Sequence, residues 1–284
     1  MKPVSFEYHA PETVEEAVAL LAELAPKNGR VLAGGQSLVP AMAFRLARPA
    51  HLIDINNIAA LGELSVGTEE LTIGASVRHA AFHQPVIAGP LGRLLSDVVR
   101  HIAHDPIRRR GTFCGSIAHA DPASEWCCVT ATLGATIVAR AASGTRQIPA
   151  ADFFTGVMTT ALAEDELLAQ VKLPLLPADT RTGFVEFSRR GGDFAIAMAL
   201  TTYRVENGRI ADPRLGIGGA ESQPRRIAEA ERVLQGSIPS AECFAAAAME
   251  AARAVAPMSD PMISADYRRD LIASLVRRAL EQAI

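Results

Sequence analysis

Between residues 30 and 38 an apolar run, Arg30-Val31-Leu32-Ala33, breaks into the polar, glycine-rich turn Gly34-Gly35-Gln36-Ser37 and resumes at Leu38. The rest of the chain is organised around this stretch, which reads as a strand that turns sharply into a helix over Leu38 to Leu46. Two adjacent glycines let the backbone bend tightly and approach a ligand without Cβ interference. Gln36 and Ser37 add side-chain donors, and the free N–H groups that open the helix would face the turn. Such a turn suits a phosphate or pyrophosphate. It matches neither G-x-G-x-x-G nor G-x-x-x-x-G-K-[ST], so by itself it is equally a strand-to-helix turn without a ligand.

The segments on either side supply an α/β context. Ser5 to Tyr8 reads as a strand, and Thr13-Val14-Glu15-Glu16 fits a capping box. Val14, Ala17, Val18, Leu21 and Ala25 then follow helical spacing, Asn28-Gly29 ends that helix, and His51 to Ile55 gives a further strand. The first unit is therefore β-α-β-α-β. Leu64 to Val66 and Leu71 to Ile73 predict a hairpin, and Leu91, Leu94, Leu95, Val98, Val99 and Ile102 mark an amphipathic helix that ends near Asp105-Pro106. The passage from Ile107 to Glu125 is long and sparsely periodic, which predicts a functional loop.

Beyond it, Trp126 to Leu133 reads as a helix, Thr136 to Val138 and Arg146 to Ile148 as a strand pair, and Glu166 to Leu173 as a strand. Pro174, Pro177 and Asp179 form a linker. Gly183 to Ser188, Ala195 to Val205 and Ile210 to Gly218 predict a three-stranded antiparallel meander, with Glu206-Asn207-Gly208-Arg209 as a type I′ hairpin. Arg225 to Gln235, Ala241 to Val255 and Ala265 to Gln282 are alanine-rich helices that can cover one face of it.

Composition excludes several classes. The 284 residues carry a net charge of −3 with scattered basic residues, so nucleic acid is not an expected partner. No apolar run has the length of a membrane span or a signal peptide, which gives a cytoplasmic expectation. Cys114, Cys127, Cys128 and Cys243 lack metal-site spacing, so the chain should hold no metal and no iron–sulfur cluster of its own.

A second small-residue passage, Gly111-Thr112-Phe113-Cys114-Gly115-Ser116 through His119-Ala120-Asp121-Pro122 to Glu125, precedes the Trp126 helix. Gly111 and Gly115 permit close backbone approach, and Thr112 and Ser116 can donate to phosphate or hydroxyl oxygens. Two such loops suit a long ligand with a diphosphate. Together, Ala33-Gly34-Gly35-Gln36-Ser37-Leu38-Val39-Pro40, Arg109 to Pro122, and Phe187-Ser188-Arg189-Arg190-Gly191-Gly192-Asp193-Phe194-Ala195 resemble the medium, FAD-binding subunit of molybdenum hydroxylases, of carbon monoxide dehydrogenase, quinoline oxidoreductase and xanthine dehydrogenase type.

The resemblance covers nearly the whole chain. It implies an α+β protein with a PCMH-type (vanillyl-alcohol-oxidase-like) two-part FAD-binding domain, residues 1–57 and 58–176, followed by a C-terminal domain, residues 177–284, built on the three-stranded sheet and its helices. It further implies that Ala33, Gly34, Gly35, Gln36, Ser37 and Leu38 hold the FAD pyrophosphate, flanked by Arg30 and Leu32. Thr112, Gly115 and Ser116 would complete the cradle, Ala103 and Ala120 would line it, and Leu168 would pack against the ring system. Glu125 stands where the family usually has Asp, as a carboxylate for cofactor hydroxyls, and Asp193 lies near the flavin edge. His119 and Asp121 would sit beside the flavin, or Asp121, standing before Pro122, would form a turn. Cys114 departs from a family glycine and would be strained if that position needed positive φ.

By the same resemblance, a large molybdopterin subunit oxidises the substrate and a small subunit with 2Fe–2S clusters relays electrons to FAD here, which passes them to an external acceptor. No side chain is expected to act as an acid, base or nucleophile, since the chemistry is the cofactor's. Two alternatives accompany this reading: a stand-alone FAD-dependent oxidoreductase, and a non-catalytic scaffolding subunit with a decayed FAD site.

Overall fold

Thr13 caps the first long helix, its Oγ1 accepting from Glu16 N at 3.1 Å. The Glu16 carboxylate answers by accepting from Glu12 N at 3.0 Å, one residue before the cap. In the computed structural model, which describes residues 2–283, the first unit comprises β1 (Glu7–His9), α1 (Val14–Leu24), β2 (Gly29–Leu32), α2 (Leu38–Ala43) and β3 (His51–Asp54). Its strands are parallel in the order β1-β3-β2. The helix α1 buries Val14, Ala17, Val18, Leu21 and Leu24, its apolar stripe.

The second unit is an antiparallel sheet with helices at one side. Its elements are β4 (Leu64–Val66), β5 (Glu70–Gly74), α3 (Pro90–Val98), α4 (Asp105–Arg108), α5 (Phe113–His119), α6 (Glu125–Leu133), β6 (Thr136–Ala141), β7 (Gly144–Pro149), α7 (Ala150–Phe153), β8 (Phe154–Gly156), β9 (Thr159–Thr160) and β10 (Leu167–Pro174). The main sheet has five strands in the order β4-β5-β10-β6-β7, and β8 and β9 form a small ribbon. Two expectations change here. The amphipathic helix stops at Val98 rather than near Asp105, and Pro106 stands in the first turn of the separate helix α4, where its missing N–H costs nothing. The passage from Ile107 to Glu125 is not one loop either. It folds into the end of α4 and into α5, whose Thr112 cap accepts from Gly115 N at 3.0 Å. Small residues on α5 left no periodicity to read.

The third unit is β11 (Arg181–Phe187), β12 (Ala197–Glu206), β13 (Arg209–Gly218), β14 (Arg225–Arg226), α8 (Ala228–Leu234), α9 (Ala241–Ala254) and α10 (Ala265–Gln282). The β12–β13 turn has positive φ at both Asn207 (51°) and Gly208 (74°), as a type I′ turn requires. The sheet has four strands, not three, because Arg225 and Arg226 pair antiparallel with Ile217 and Gly216. A two-residue strand of arginines, each ion-paired to a glutamate (Glu221 and Glu231), offers no apolar alternation.

The helices α8, α9 and α10 close one apolar core with this sheet, through Phe244, Ala247, Ala251, Ile272 and Val276. The other face meets α6, which is buried along its whole length. Gly216 permits that approach, since a Cβ there would overlap Thr132 Oγ1. The larger core runs from α1 through the second unit to β11 and β12. The second and third units therefore share α6 as a common internal strut.

Candidate functional site

A cavity of about 590 Å³ opens between the first unit, the second unit and the segment after β11. Its two glycine-rich walls touch. Gly34 lies so close to the second loop that a Cβ on it would stand 2.6 Å from Gly111 Cα, and a Cβ on Gly111 would stand 2.6 Å from His79 Nε2. Only residues without side chains allow this contact. Gly35 has φ +71°, a second reason for glycine in this turn.

A polar strut holds the loops in register. Tyr8 OH donates to Asp54 Oδ2 at 2.6 Å, Asn56 N donates to Asp54 Oδ1 at 2.9 Å, and Asn56 Nδ2 donates to Ala33 O at 2.8 Å. Arg78 Nη2 donates to Asn56 Oδ1 at 2.6 Å, while its Nη1 reaches Arg110 O. Side chains from β1, β3 and the second unit thus meet behind the cradle.

Donors without a protein acceptor then face the cavity. Gly35, Gln36 and Ser37 line it, and among the described residues their backbone N–H groups donate to no protein acceptor. Ser116 lines it with no hydrogen-bond partner on its hydroxyl, and Thr112 Oγ1, used as an acceptor by Gly115 N, keeps its proton to donate. Arg30 adds a cationic side chain to the wall. Unpaired N–H groups, hydroxyls and a guanidinium are a donor set for an anion such as a diphosphate.

His79 forms part of the floor. Trp126 Nε1 donates to His79 Nδ1 at 2.9 Å, so the ring accepts there and carries its proton on Nε2. Burial, with Arg78 and Arg108 nearby, pushes its pKa down to about 4. It is therefore a neutral donor beside Gly111 at neutral pH. Neither a motif nor a spacing had singled out His79, because a lone histidine in Val77-Arg78-His79 carries no pattern.

Of the residues marked from the sequence, Arg30, Leu32, Ala33, Gly34, Gly35, Gln36, Ser37, Leu38, Ala103, Thr112, Gly115, Ser116, Glu125 and Asp193 line this one cavity, as do His119 and Asp121. Ala120 and Leu168 lie outside the lining. Ala120 is the left-handed cap of α5 (φ 53°), and its carbonyl accepts from the N–H of Met158, which does line the cavity. Leu168 is buried on β10 beside a β-bulge. Cys114 is not strained: it sits inside α5 without positive φ, and its thiol turns away from the cavity toward the carbonyls of Ile73 and Gly74. Burial pushes that thiol's pKa up.

At the rim, Gly192 (φ +87°) packs on the His104 ring and the Ala103 carbonyl, holding Asp193 and the exposed Phe194 over the mouth. On the far wall, Glu125 opens α6 and is 8% exposed, and the Glu186 side chain on β11 is 3% exposed. Burial and the neighbouring carboxyl push both of their pKa values above the ordinary range.

Known proteins share this fold. Residues 4–176 match the family profile of the FAD binding domain in molybdopterin dehydrogenase, and residues 183–283 match that of the CO dehydrogenase flavoprotein C-terminal domain. The nicotine 6-hydroxylase medium subunit of Paenarthrobacter nicotinovorans is 37% identical, with 100% of this chain and 99% of that one covered. The carbon monoxide dehydrogenase medium chain of Hydrogenophaga pseudoflava is 33% identical over 100% and 98% of the two chains. Among solved structures, carbon monoxide dehydrogenase from Hydrogenophaga pseudoflava superposes with a TM-score of 0.95 at 34% identity, covering 100% of this chain and 98% of that one. Quinoline 2-oxidoreductase from Pseudomonas putida 86 does so at 0.92 and 35% identity, with the same coverage.

Proposed function

Because the chain belongs to the family of FAD-binding medium subunits of molybdenum hydroxylases, we propose that it holds FAD in the two-loop cavity and passes electrons from 2Fe–2S clusters of a small subunit to an external acceptor. The observation that carries this reading is the pair of glycine-rich walls in backbone contact, with donors facing the space between them. FAD supplies the redox chemistry when bound; the chain binds it, orients it and shields it from water. Gly35, Gln36, Ser37, Thr112 and Ser116 would hold the diphosphate. Arg30, Leu32, Ala33, Gly34, Leu38, Ala103, Gly115, Glu125 and Asp193 would shape the remaining contacts.

On this reading residues 1–57 and 58–176 are the two FAD-binding parts and 177–284 the closing domain, the large partner carries molybdopterin, and the complex is cytoplasmic. No helix among the described residues is long and apolar enough to cross a membrane. Full-length similarity to medium chains of multisubunit enzymes favours this over a stand-alone oxidoreductase. The decayed-scaffold alternative loses support, since Cys114, which departs from the family glycine, is unstrained and faces away from the cavity.

The test is the visible spectrum of the purified chain, followed by identification of the released nucleotide. A flavin spectrum with FAD in the supernatant is the expected result. Mixing with the reduced small subunit should then bleach the flavin. A folded, colourless chain that refuses added FAD would overturn the reading.

A further inference from the structure

The first unit brings two histidines and a glutamate together on one face of its sheet. Glu7 and His9 stand two residues apart on β1, so strand alternation points both to the same side. The parallel register sets His51 of β3 beside Glu7, which turns its side chain to that side too. Tyr8, between the two, points to the opposite face and donates to Asp54. His9 Nε2 lies 3.2 Å from His51 Nδ1, and His51 Nδ1 lies 3.5 Å from Glu7 Oε2. All three side chains place a nitrogen or oxygen within 4.8 Å of the other two, the one such group of three among the described residues. Cysteine spacing, on which the expectation of no metal rested, says nothing about two histidines 42 residues apart in sequence.

These separations have the size that a metal ion imposes. Zinc bonds to imidazole nitrogen and carboxylate oxygen are about 2.0–2.1 Å long, which separates neighbouring ligand atoms on a tetrahedron by about 3.3–3.4 Å. The His9–His51 and His51–Glu7 separations both fall close to that edge. Hydrogen bonds alone account for them less well. If His51 Nδ1 accepts from His9, it shows a lone pair to the Glu7 carboxylate; if it carries the proton, two acceptors compete for it. A cation between the three groups satisfies every lone pair at once. Among the described residues the Glu7 carboxylate has no arginine or lysine in ion-pair contact, so its charge is left for such an ion. Two imidazoles and one carboxylate suit zinc, copper or nickel, whereas magnesium and calcium favour sets made of oxygen.

We propose that Glu7, His9 and His51 form a site for one divalent transition-metal ion of the zinc class. The side chains supply three ligands and water completes the set, since the Glu7 side chain is 75% exposed and that of His51 only 14%. A small rotation of the exposed Glu7 side chain closes the remaining edge. The ion staples β1, a three-residue edge strand, to β3. On the other face of β1, Tyr8 holds the Asp54 carboxylate that begins the strut behind the cavity, so the staple steadies that strut as well. An ion that binds the folded chain and not the unfolded one raises stability by mass action.

Calorimetric titration of the chelator-treated full chain with zinc chloride tests the site, for wild type, His9→Gln, His51→Gln and Glu7→Gln. Wild type should bind one equivalent. Each histidine variant should lose more than about 100-fold in affinity, beyond the usual loss for a group that only supports a ligand. Glu7→Gln keeps an oxygen without its charge and should lose less. Saturating zinc should raise the urea midpoint of wild type and leave those of the histidine variants unchanged. Zinc that does not bind wild type, or that binds the histidine variants as tightly, overturns the site. Should a variant not fold, Cu²⁺ added to the wild-type chain decides by electron paramagnetic resonance: nitrogen splitting from two imidazoles supports the site, and a spectrum without it overturns it. Neither readout involves FAD, so failure here leaves the cofactor reading standing.

Discussion

His79 shows how one side chain is committed by its surroundings. The indole of Trp126 occupies Nδ1, the backbone of Gly111 presses on Nε2, and Phe82 and Phe113 pack round the indole. A proton added to this ring would lose the Trp126 bond and be buried near two arginines. The folded pKa of about 4 lies below the ordinary value. The unfolded chain thus binds a proton first as pH falls, and stability is lost between about pH 6.5 and the folded value. We predict that His79→Gln, which can still accept from Trp126, loses less stability than wild type on going from pH 7 to pH 4.5, by about 2–3 kcal/mol. Urea unfolding at the two pH values checks this, and identical losses in both proteins would refute it. Such behaviour is invisible in Val77-Arg78-His79, where nothing local distinguishes a buried ring from an exposed one.

At the scale of elements, the cavity depends on two turns approaching as backbone. Gly34 and Gly111 make that contact, while the Asn56–Arg78 bridge fixes its register. A methyl at position 34 meets the main chain of Arg110 and Gly111, which cannot rotate away as a side chain could. Gly34→Ala should therefore separate the loops, weaken FAD binding more than about tenfold and cost about 1–3 kcal/mol of stability, the usual range for overpacking. Calorimetric titration with FAD and chemical unfolding measure the two effects; wild-type affinity in the variant would show that the contact is dispensable. The glycines themselves were legible, because a strand breaking at Gly-Gly is a local signal. The helices α4 and α5 were not, since helix made of small residues lacks an apolar stripe. Nor was β14, whose two arginines pair with β13 only because Glu221 and Glu231 neutralise them.

Across the whole molecule, Arg268 ties the last helix to the ends of the strands beside the cavity mouth. Its buried guanidinium donates to Ile196 O, to Gly219 O at 2.7 Å and to Asp260 Oδ2 at 2.7 Å. Ile196 follows directly on the rim segment that carries Asp193 and Phe194, so α10 braces the rim from the far side of the sheet. Removing one partner of a buried, charge-assisted set leaves the others unsatisfied and typically costs about 3–5 kcal/mol. Arg268→Leu should lower stability by about 3 kcal/mol in urea unfolding, and a loss below about 1 kcal/mol would mean that water replaces the guanidinium.

Short-range physics sets the capped first helix, the Gly34-Gly35 break, the type I′ turn at Asn207-Gly208 and the alanine-rich helices, and these can be read directly from residue order. Each follows from backbone freedom or side-chain period within a few residues, and the motifs in their order carried the family. Which charges lose their water depends instead on how the units pack. Glu125 and Glu186 come from different units, and either would read as a surface carboxylate along the chain. Folding buries both, because burial is a property of the packed seam between units and not of the residues on either side of a glutamate in sequence.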